Sequence, residues 1–358
     1  MSRRLFEFSA GMSHGVNDIY WFILPSILPA ILEQFRLGYG MAGGMLATFL
    51  GTIALFSIVF GRCSDRIARW KLIGYGFLAV SAGMVLTGMA GSFPVFLALI
   101  LVTAVGISTY HPTIYAAIDE STVHRRGKTY GKFEFWGTFG ISVMFFSYGT
   151  LLKVLDWRGL FFISALPALF AGIFYLRNRG GIVGDPSGKT NEDPGPVPSR
   201  TPFLVSALFF LGVTVRVLSI AAVVNFVPTY LVREVGLEVW TANYGSAFIF
   251  LGGMLFVPIA GILADRWKPL PVLQVLAAAT GPVIFLIGSF QSLWILIPIL
   301  VFFGGCWLGV MPSQSMMLSL LNSATGKGQA FGLLMGLMTI TNALGPGFFG
   351  LVADRIGL

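Results

Sequence analysis

Eleven apolar segments of roughly 20 residues recur along this chain, and they limit its fold more than any other feature. A helix needs about 20 apolar residues to cross the hydrocarbon core of a bilayer. Charged residues make up only 11% of the chain, whereas a soluble domain carries about 25%. The sequence therefore predicts an all-α integral membrane protein. The segments lie at about 6–32, 41–61, 71–91, 94–118, 129–153, 158–176, 202–231, 241–263, 270–289, 292–320 and 329–353.

The first segment is predicted to be a helix of the mature protein. Its centre is too polar for the core of a signal peptide, and no clear small-residue cleavage site follows it. The two cysteines, Cys63 and Cys306, lack the spacing of a metal site or a disulfide framework. We therefore expect no cofactor and no metal ion.

Lysine and arginine residues are distributed unequally between the loops. If the N-terminus is cytoplasmic, 17 of them lie inside and 5 outside, and Arg216 alone lies within a span. This bias predicts a multi-pass protein of the cytoplasmic (inner) membrane with its N-terminus inside. Basic loops that face anionic lipid explain the net charge of +8. Because the basic residues form no compact stripe, we expect no nucleic-acid partner.

The two halves of the chain repeat each other. The polar stretch 177–200 is rich in Gly, Pro and charge and predicts a flexible linker. Two parallel six-helix halves are an arrangement of secondary transporters, with the substrate site near the midplane. We predict an N-terminal half at 1–176, a linker at 177–201 and a C-terminal half at 202–358. The matches are GRCSDRIARW (61–70) with GILADRWKPL (261–270), Pro112 with Pro312, and GKTYG (127–131) with GQAFG (328–332).

The C-terminal half contains five of the six segments that this repeat requires. The chain ends at GLVADRIGL, just past the eleventh segment. We expect that the reading frame continues into a twelfth apolar segment with a short basic tail. The alternative is a true eleven-helix protein with an external C-terminus.

The chain combines several motifs, namely G-x-x-x-D-R-x-x-R at 61–69, its copy from Gly261, the central linker and DWRGLFFI at 156–163. Together they resemble the major facilitator superfamily across the entire chain. Within that family, the fosmidomycin-resistance branch of drug efflux proteins is similar to this chain in TYHPTIYAAI (109–118), HRRGKTYG (124–131) and Arg216 ahead of NFVPTYL (225–231). The resemblance implies efflux. The chain departs from the efflux members in the fifth helix, which lacks their usual Gly-Pro pair; such a pair occurs at Gly345-Pro346.

The duplicated loop element predicts a cytoplasmic gate. Asp65 lies at a helix–loop junction, where a carboxylate can meet the positive end of a neighbouring helix. Arg66 and Arg69 can bond backbone carbonyls or lipid phosphates. Such contacts would hold the halves together in one state and release them in the other. The alternative is that these charges only follow the loop bias. The predicted gate comprises Gly61, Asp65, Arg66, Arg69, Gly261, Asp265 and Arg266.

Three polar residues lie in the middle of the first segment, within SHGVNDIYWF at 13–22. Asp18 lies about 18 Å along that helix, near the bilayer centre. His14 is one turn earlier on the same face, and Asn17 lies beside it. An ionisable residue at that depth costs at least about 2.5 kcal/mol unless it faces a cavity or a partner. We predict that Asp18 faces a central cavity and carries a proton; a buried hydrogen bond between helices is the alternative.

Arg216 is the opposite charge at comparable depth in the seventh segment. It can hold a carboxylate or phosphonate through two hydrogen bonds, or it can pair with Asp18 or Glu134. Glu134 is a second proton site or, as we favour, an interfacial residue hydrated at the cytoplasmic mouth. His111 is a titratable cavity group or a hydrogen-bonded core residue. Further predicted lining residues are Asn17, Trp21, Phe22, Tyr110, Tyr115, Asn225, Phe226, Tyr230 and Gln314.

No nucleotide-binding, hydrolase or metalloprotease motif is present, so we expect neither an enzyme nor direct use of ATP. The residues predict a monomeric secondary transporter in a lipid bilayer, whose partners are protons and a small drug-like or polar, anionic substrate. Proton-coupled efflux by alternating access is the preferred hypothesis. Two alternatives stay open: a proton symporter or facilitator that imports a small organic anion, and a non-transporting membrane sensor or partner-binding protein.

Overall fold

A computed structural model describes residues 3–121, 126–178, 203–321 and 327–358. In these residues the chain forms thirteen α-helices and no β-strand, which confirms the predicted all-α class. The helices are α1 (Arg3–Trp21), α2 (Ile23–Phe35), α3 (Tyr39–Ser64), α4 (Arg69–Gly88), α5 (Phe93–Ser108), α6 (Tyr110–Ser121), α7 (Arg126–Leu151), α8 (Trp157–Arg177), α9 (Phe203–Arg233), α10 (Val239–Trp267), α11 (Pro269–Ser289), α12 (Leu293–Leu321) and α13 (Lys327–Ile356).

Two of the predicted membrane segments are broken into pairs of helices. α1 ends at Trp21, four residues before Pro25, and α5 ends at Ser108, four residues before Pro112. A proline lacks the N–H that would bond the carbonyl four residues earlier, and its ring clashes with that carbonyl. Each break is therefore explained by its proline, and each lies beside residues of the predicted cavity.

Ten segments in the described part of the chain are long and apolar enough to cross a membrane. The sequence predicted eleven. The difference is α7, which covers most of the predicted segment 129–153 and has 26 residues but is not among the ten. Its first turns contain Lys128, Lys132 and Glu134, which make it less apolar than the other spans. α7 instead packs between α1 and α10.

Helix boundaries in the two parts of the chain recur at an offset of about 200 residues. α3, α4 and α5 begin at Tyr39, Arg69 and Phe93, whereas α10, α11 and α12 begin at 239, 269 and 293. The most extensive packing joins α3 to α13 and α7 to α10, and these two pairs correspond under the offset. The division into halves stays a prediction, and the linker predicted at 177–201 lies outside the described residues apart from Arg177 and Asn178.

Glycine brings α1 and α7 into close contact beside the predicted cavity. A Cβ atom on Gly140 would lie 2.3 Å from the backbone oxygen of Gly15, and one on Gly15 would lie 2.8 Å from the backbone oxygen of Trp136. These distances leave no room for a side chain, so glycine is required at this crossing. The close approach places His14 and Asp18 of α1 against α7.

Candidate functional site

One cavity opens between α1, α3, α6, α7, α9, α12 and α13. Its wall contains apolar side chains, including Trp21, Phe22 and Trp307. A concave, largely apolar site with a few convergent polar groups is typical of a small-molecule site. The polar and ionisable lining residues are His14, Asp18, His111, Tyr115, Glu134, Thr138, Asn225, Gln314, Ser315, Thr339 and Asn342.

His14, Asp18 and His111 form a compact group at this cavity, which we call the His–Asp cluster. Nε2 of His14 lies 3.1 Å from Oδ2 of Asp18, and Nε2 of His111 lies 3.2 Å from Oδ1 of the same carboxylate. The two Nε2 atoms are 3.2 Å apart. The helix breaks position the cluster, because Asp18 lies just before the end of α1 and His111 lies at the start of α6.

A second layer of contacts fixes the two imidazole rings. Nδ1 of His14 lies 2.9 Å from the backbone oxygen of Phe133, and the His14 ring stacks on the Phe133 ring with centroids 3.9 Å apart. Because a carbonyl oxygen only accepts, Nδ1 of His14 carries a hydrogen. The side-chain nitrogen of Asn17 lies 3.4 Å from Nδ1 of His111. Asn17 was predicted to line the cavity; it lies instead behind the His–Asp cluster, where it contacts His111.

Glu134 lies on the cavity wall, buried, with only 8% of its surface exposed. The hydroxyl of Tyr115 donates a short hydrogen bond to its carboxylate. The structure therefore corrects the favoured expectation that Glu134 is hydrated at the cytoplasmic mouth. Glu134 adds a second carboxylate to the cavity that contains Asp18.

Arg216 lies next to the cavity without an acidic partner among the described residues. Its Nη2 donates to Oε1 of Gln314 at 2.9 Å, and Gln314 lines the cavity. The Nε and Nη1 atoms of Arg216 are buried and have no hydrogen-bond partner in the described part of the chain. The predicted alternative, an ion pair with Asp18 or Glu134, is not formed there. A guanidinium whose donors are not used by the protein can donate hydrogen bonds to the oxygen atoms of an anion.

The other predicted lining residues divide into two groups. Trp21, Phe22, Tyr115, Asn225 and Gln314 line the cavity. Three others lie elsewhere, which corrects the prediction: the Tyr110 hydroxyl donates to the backbone oxygen of Ala10 at 2.7 Å, the Tyr230 hydroxyl donates to that of Ile287 at 3.3 Å, and the Phe226 ring packs on Phe349 with centroids 5.4 Å apart.

Several lining residues were missed in the sequence. Met335, Met338 and Asn342 lie on one face of α13, at spacings of three and four residues, and line the cavity together. Their helical spacing was a usable signal, but the surrounding glycine and threonine residues made that face look like ordinary helix packing.

Both aspartates of the duplicated loop element lie at helix N-termini. Asp65 Oδ2 accepts a hydrogen bond from the backbone N–H of Gln329, near the start of α13, at 2.9 Å. Asp265 accepts from the backbone N–H groups of Gly127 and Lys128, at the start of α7, at 3.0 and 2.9 Å. A carboxylate at this position interacts favourably with the helix dipole. Each aspartate therefore joins a helix of one predicted half to a helix of the other.

The remaining gate residues differ in their packing and exposure. A Cβ atom on Gly261 would lie 2.5 Å from the backbone oxygen of Gly127, so the α7–α10 contact requires glycine there; Gly61 packs in the corresponding place against Gly332. Arg66 and Arg266 are exposed. Arg69 was expected to contact backbone carbonyls or lipid phosphates. Instead it is buried and forms a bidentate ion pair with Glu120 at 2.6 and 2.7 Å.

The opposite end of the α3–α13 pair has a latch that the sequence analysis missed. Asp354 accepts hydrogen bonds from the backbone N–H groups of Tyr39 and Gly40, at the start of α3, at 2.7 and 2.9 Å. A signal was present, because GLVADR at 350–355 repeats the GILADR of 261–266. The α3–α13 pair is thus fastened at both ends.

A family model described as the Major Facilitator Superfamily matches residues 10–350. This chain belongs to the major facilitator superfamily. Membership confirms the resemblance found in the motifs and the predicted bundle architecture. Proteins of this superfamily carry small molecules across a lipid bilayer, and the ten apolar segments of the described residues fit a multi-pass membrane protein.

Curated relatives match shorter stretches of this major facilitator. The fosmidomycin resistance protein of Escherichia coli is 26% identical over 132 residues, which cover 37% of this chain and 32% of that protein. The probable L-galactonate transporter of the same organism is 24% identical over 153 residues, covering 42% and 34%. An uncharacterised transporter of Bacillus subtilis, YceJ, is 28% identical over 97 residues, covering 27% and 25%. The matched stretches thus span about a third of these relatives or less.

Solved structures of the family resemble this major facilitator over nearly its whole length. The human organic anion transporter MFSD10 has a TM-score of 0.77 at 14% identity, covering 100% of this chain and 95% of that one. A bacterial homologue of the human lysosomal transporter Spinster, inward-facing and occupied, has a TM-score of 0.72 at 18% identity, covering 98% and 82%. These similarities show the shared fold.

Proposed function

We propose that this protein is a proton-coupled secondary transporter that exports a small anionic or drug-like molecule by alternating access. One observation carries the proposal: a single cavity receives the His–Asp cluster and Glu134 from α1, α6 and α7, and the Gln314 that holds Arg216 from α12. Groups that can exchange protons thus line the cavity, and Arg216, which can bind an anion, lies next to it through Gln314. Coupled transport would use these two neighbouring groups.

The His–Asp cluster is the proposed proton site. Asp18 lies between two imidazoles, so its carboxylate can exchange a proton with either ring or with water in the cavity. Adding or removing a proton changes the net charge of a group enclosed by apolar helices. That change alters the cost of closing the bundle around it.

Arg216 is the proposed anion site. Its two unused donors, on Nε and Nη1, would pair with a carboxylate or phosphonate oxygen that enters beside Gln314. Similarity to a fosmidomycin resistance protein and to a probable L-galactonate transporter supports a small polar or anionic cargo. A bound anion and a proton at Asp18 would influence each other through the charge of the shared cavity.

The aspartate latches supply the proposed gates. Asp65 and Asp265 close the end of the bundle where α13 and α7 begin, and Asp354 closes the opposite end of the α3–α13 pair. Alternating access follows if one end is released while the other holds. We assign the Asp65 end to the cytoplasm, because the basic loops lie there, and we propose a monomer in the inner membrane.

Import of a small organic anion by symport or facilitation is the second candidate. The observation that favours it is the position of the Gly-Pro pair, which occurs in α13 at Gly345-Pro346 and not in α7. The walls of the cavity serve either direction equally well. The direction of transport must therefore be measured.

The test uses the full chain in right-side-out and inverted vesicles, with an imposed pH difference and a panel of phosphonates, carboxylates and lipophilic drugs. We expect accumulation in inverted vesicles that are acidic inside. Asp18→Asn should abolish this accumulation and leave substrate binding intact. Glu33→Gln, an exposed carboxylate on α2, is the matched control and should transport normally.

Each outcome decides between the candidates. Accumulation only in right-side-out vesicles would replace export with import. If Asp18→Asn still concentrates substrate with only a pH difference applied, the proton role of Asp18 is wrong. Absence of movement for every compound in both orientations, with correctly folded protein, would favour the sensor hypothesis.

A further inference from the structure

The His–Asp cluster has the geometry of a metal site. One donor atom from each of His14, Asp18 and His111 can be chosen so that all three lie within 4.8 Å of one another. The two imidazole Nε2 atoms are 3.2 Å apart, and each lies 3.1 or 3.2 Å from an oxygen of Asp18. Two imidazoles and one carboxylate are a common ligand set for divalent transition metals.

The distance between the two imidazole nitrogens matches the edge of a coordination tetrahedron. Zinc–nitrogen and zinc–oxygen bonds of about 2.0–2.1 Å give a distance between neighbouring ligand atoms of about 3.3 Å. The separation of 3.2 Å between the two Nε2 atoms is close to this value. His14 approaches Oδ2 of Asp18 at 3.1 Å and His111 approaches Oδ1 at 3.2 Å, so the carboxylate can face a shared ion with either oxygen or with both.

One distribution of protons leaves an unfavourable contact in the cluster. If each Nε2 atom donates a hydrogen to Asp18, both ring contacts with the carboxylate are satisfied. The two N–H groups then lie against each other across 3.2 Å, and neither has a lone pair for the other. An ion in place of these two hydrogens would contact both Nε2 atoms and Asp18 and would remove this unfavourable contact.

The surroundings supply what metal-binding histidines require. Because the Phe133 carbonyl fixes a hydrogen on Nδ1 of His14, the Nε2 atom of that ring is free to bind an ion. The amide nitrogen of Asn17 faces Nδ1 of His111 at 3.4 Å and can only donate, so the amide must turn over to present its oxygen when Nδ1 carries the hydrogen and Nε2 binds an ion. Each ring thus has an outer partner next to its Nδ1 atom.

The charge and the opening of the site also suit a divalent ion. Asp18 and Glu134 line the same cavity, so two carboxylates are available to balance two positive charges. All three donor residues line that cavity, which leaves a fourth coordination position open to water or to an anionic oxygen. Imidazole ligands favour zinc, copper, nickel and iron over magnesium and calcium.

We propose that His14, Asp18 and His111 bind one divalent transition-metal ion of the zinc type, with its fourth position open to the central cavity. No local spacing in the sequence indicated this site, since 93 residues separate Asp18 from His111. Binding displaces protons from the cluster, so the ion and the protons compete for the same atoms. The inference does not depend on the proposed direction of transport or on the proposed substrate.

The test measures binding directly on the full chain in detergent, purified through a tag that contains no histidine. Cobalt(II) is added first, because tetrahedral cobalt(II) has intense visible absorption bands, and Zn²⁺ is then titrated against a chromophoric chelator. We expect one ion per chain. Asp18→Asn and His111→Gln should weaken Zn²⁺ binding at least tenfold, and Asn17→Leu by about 10- to 100-fold through loss of the outer contact.

Controls separate loss of the site from loss of the fold. His124→Gln removes the third histidine of the sequence, which is not one of the three donors, and should leave Zn²⁺ binding unchanged. Zn²⁺ should raise the unfolding temperature of the unmodified protein and of His124→Gln but not of Asp18→Asn. Replacing Cys63 and Cys306 by Ser excludes thiol binding.

Two results would overturn the inference. The first is the absence of saturable Zn²⁺ binding to folded protein. The second is equal Zn²⁺ affinity in Asp18→Asn and His124→Gln, which would place the ion elsewhere. If the unmodified protein binds Zn²⁺ but transports no substrate, only the proposed function is contradicted. If it transports substrate but does not bind Zn²⁺, only the metal site is contradicted.

Discussion

The α3–α13 pair is fastened by an aspartate at each end, which allows a paired test of the gates. Asp65 bonds the N-terminus of α13, and Asp354 bonds the N-terminus of α3. Asp65→Asn should shift the conformational equilibrium towards opening at the predicted cytoplasmic end. Asp354→Asn should shift it towards opening at the other end.

The contacts of each carboxylate with a helix N-terminus set the expected magnitudes. A carboxylate at an exposed helix N-terminus contributes roughly 0.3–1 kcal/mol, so Asp65→Asn should change the open-to-closed ratio by about two- to fivefold. Asp354 accepts two backbone bonds. At about 0.5–1.5 kcal/mol for each bond, and with one acceptor oxygen retained by Asn, we expect about 1 kcal/mol or a fivefold change.

Double electron–electron resonance between paired spin labels measures the distance across each end of the bundle separately. Labels at the exposed positions Ile67 and Trp267 report the predicted cytoplasmic end, and labels at Val154 and Trp294 report the opposite end. Both native cysteines are replaced by Ser in this background. We expect a population at longer distance to grow for the first pair in Asp65→Asn and for the second pair in Asp354→Asn.

Two outcomes would refute the reasoning. If both variants widen the same end, the aspartates do not act as local latches. If neither distance distribution changes, hydrogen bonds to water replace these contacts at no cost, and the charges of the loop element only follow the positive-inside bias.

High salt should reduce both shifts, because exposed charge–dipole interactions are screened.

Three further predictions concern other contacts of the structure. Arg216→Lys keeps the charge but loses the planar fork, so it should weaken binding of an anionic substrate by about 10-fold or more in a thermal-shift titration; unchanged affinity would remove Arg216 from the site. Gly140→Ala places a Cβ atom 2.3 Å from the Gly15 oxygen and should destabilise the protein by about 1–3 kcal/mol, whereas Gly44→Ala, with no atom within 4 Å of the new Cβ, should not; the unfolding temperatures of the two variants compare them directly. A double-mutant cycle of Arg69→Ala and Glu120→Ala should give a coupling of about 1 kcal/mol, because the pair is bidentate but Glu120 is 44% exposed; additive effects would contradict a stabilising ion pair.

The sequence alone determined the class, the approximate spans and the repeat. These depend on local quantities: an apolar run is long enough to cross a bilayer or it is not, and a duplicated GxxxDR element is visible without coordinates. Asp18 could be singled out for the same reason, since a carboxylate in an apolar span is costly wherever the other helices lie. α7 shows the limit of this reasoning, because its packing between α1 and α10 compensates for the lower hydrophobicity of its own residues.

Only the tertiary structure decided which residues meet. His14 and His111 are 97 residues apart in the sequence, and they converge because Pro25 and Pro112 break their helices beside the cavity and because Gly15 and Gly140 let α1 approach α7. Whether Arg216 pairs with a carboxylate or keeps free donors depends on distances between helices that no pattern encodes. The same is true of Glu134, which a position near the start of α7 suggested to be hydrated, and which the packing of Tyr115 buries. Local chemistry fixed the candidates, and the packing of distant helices selected among them.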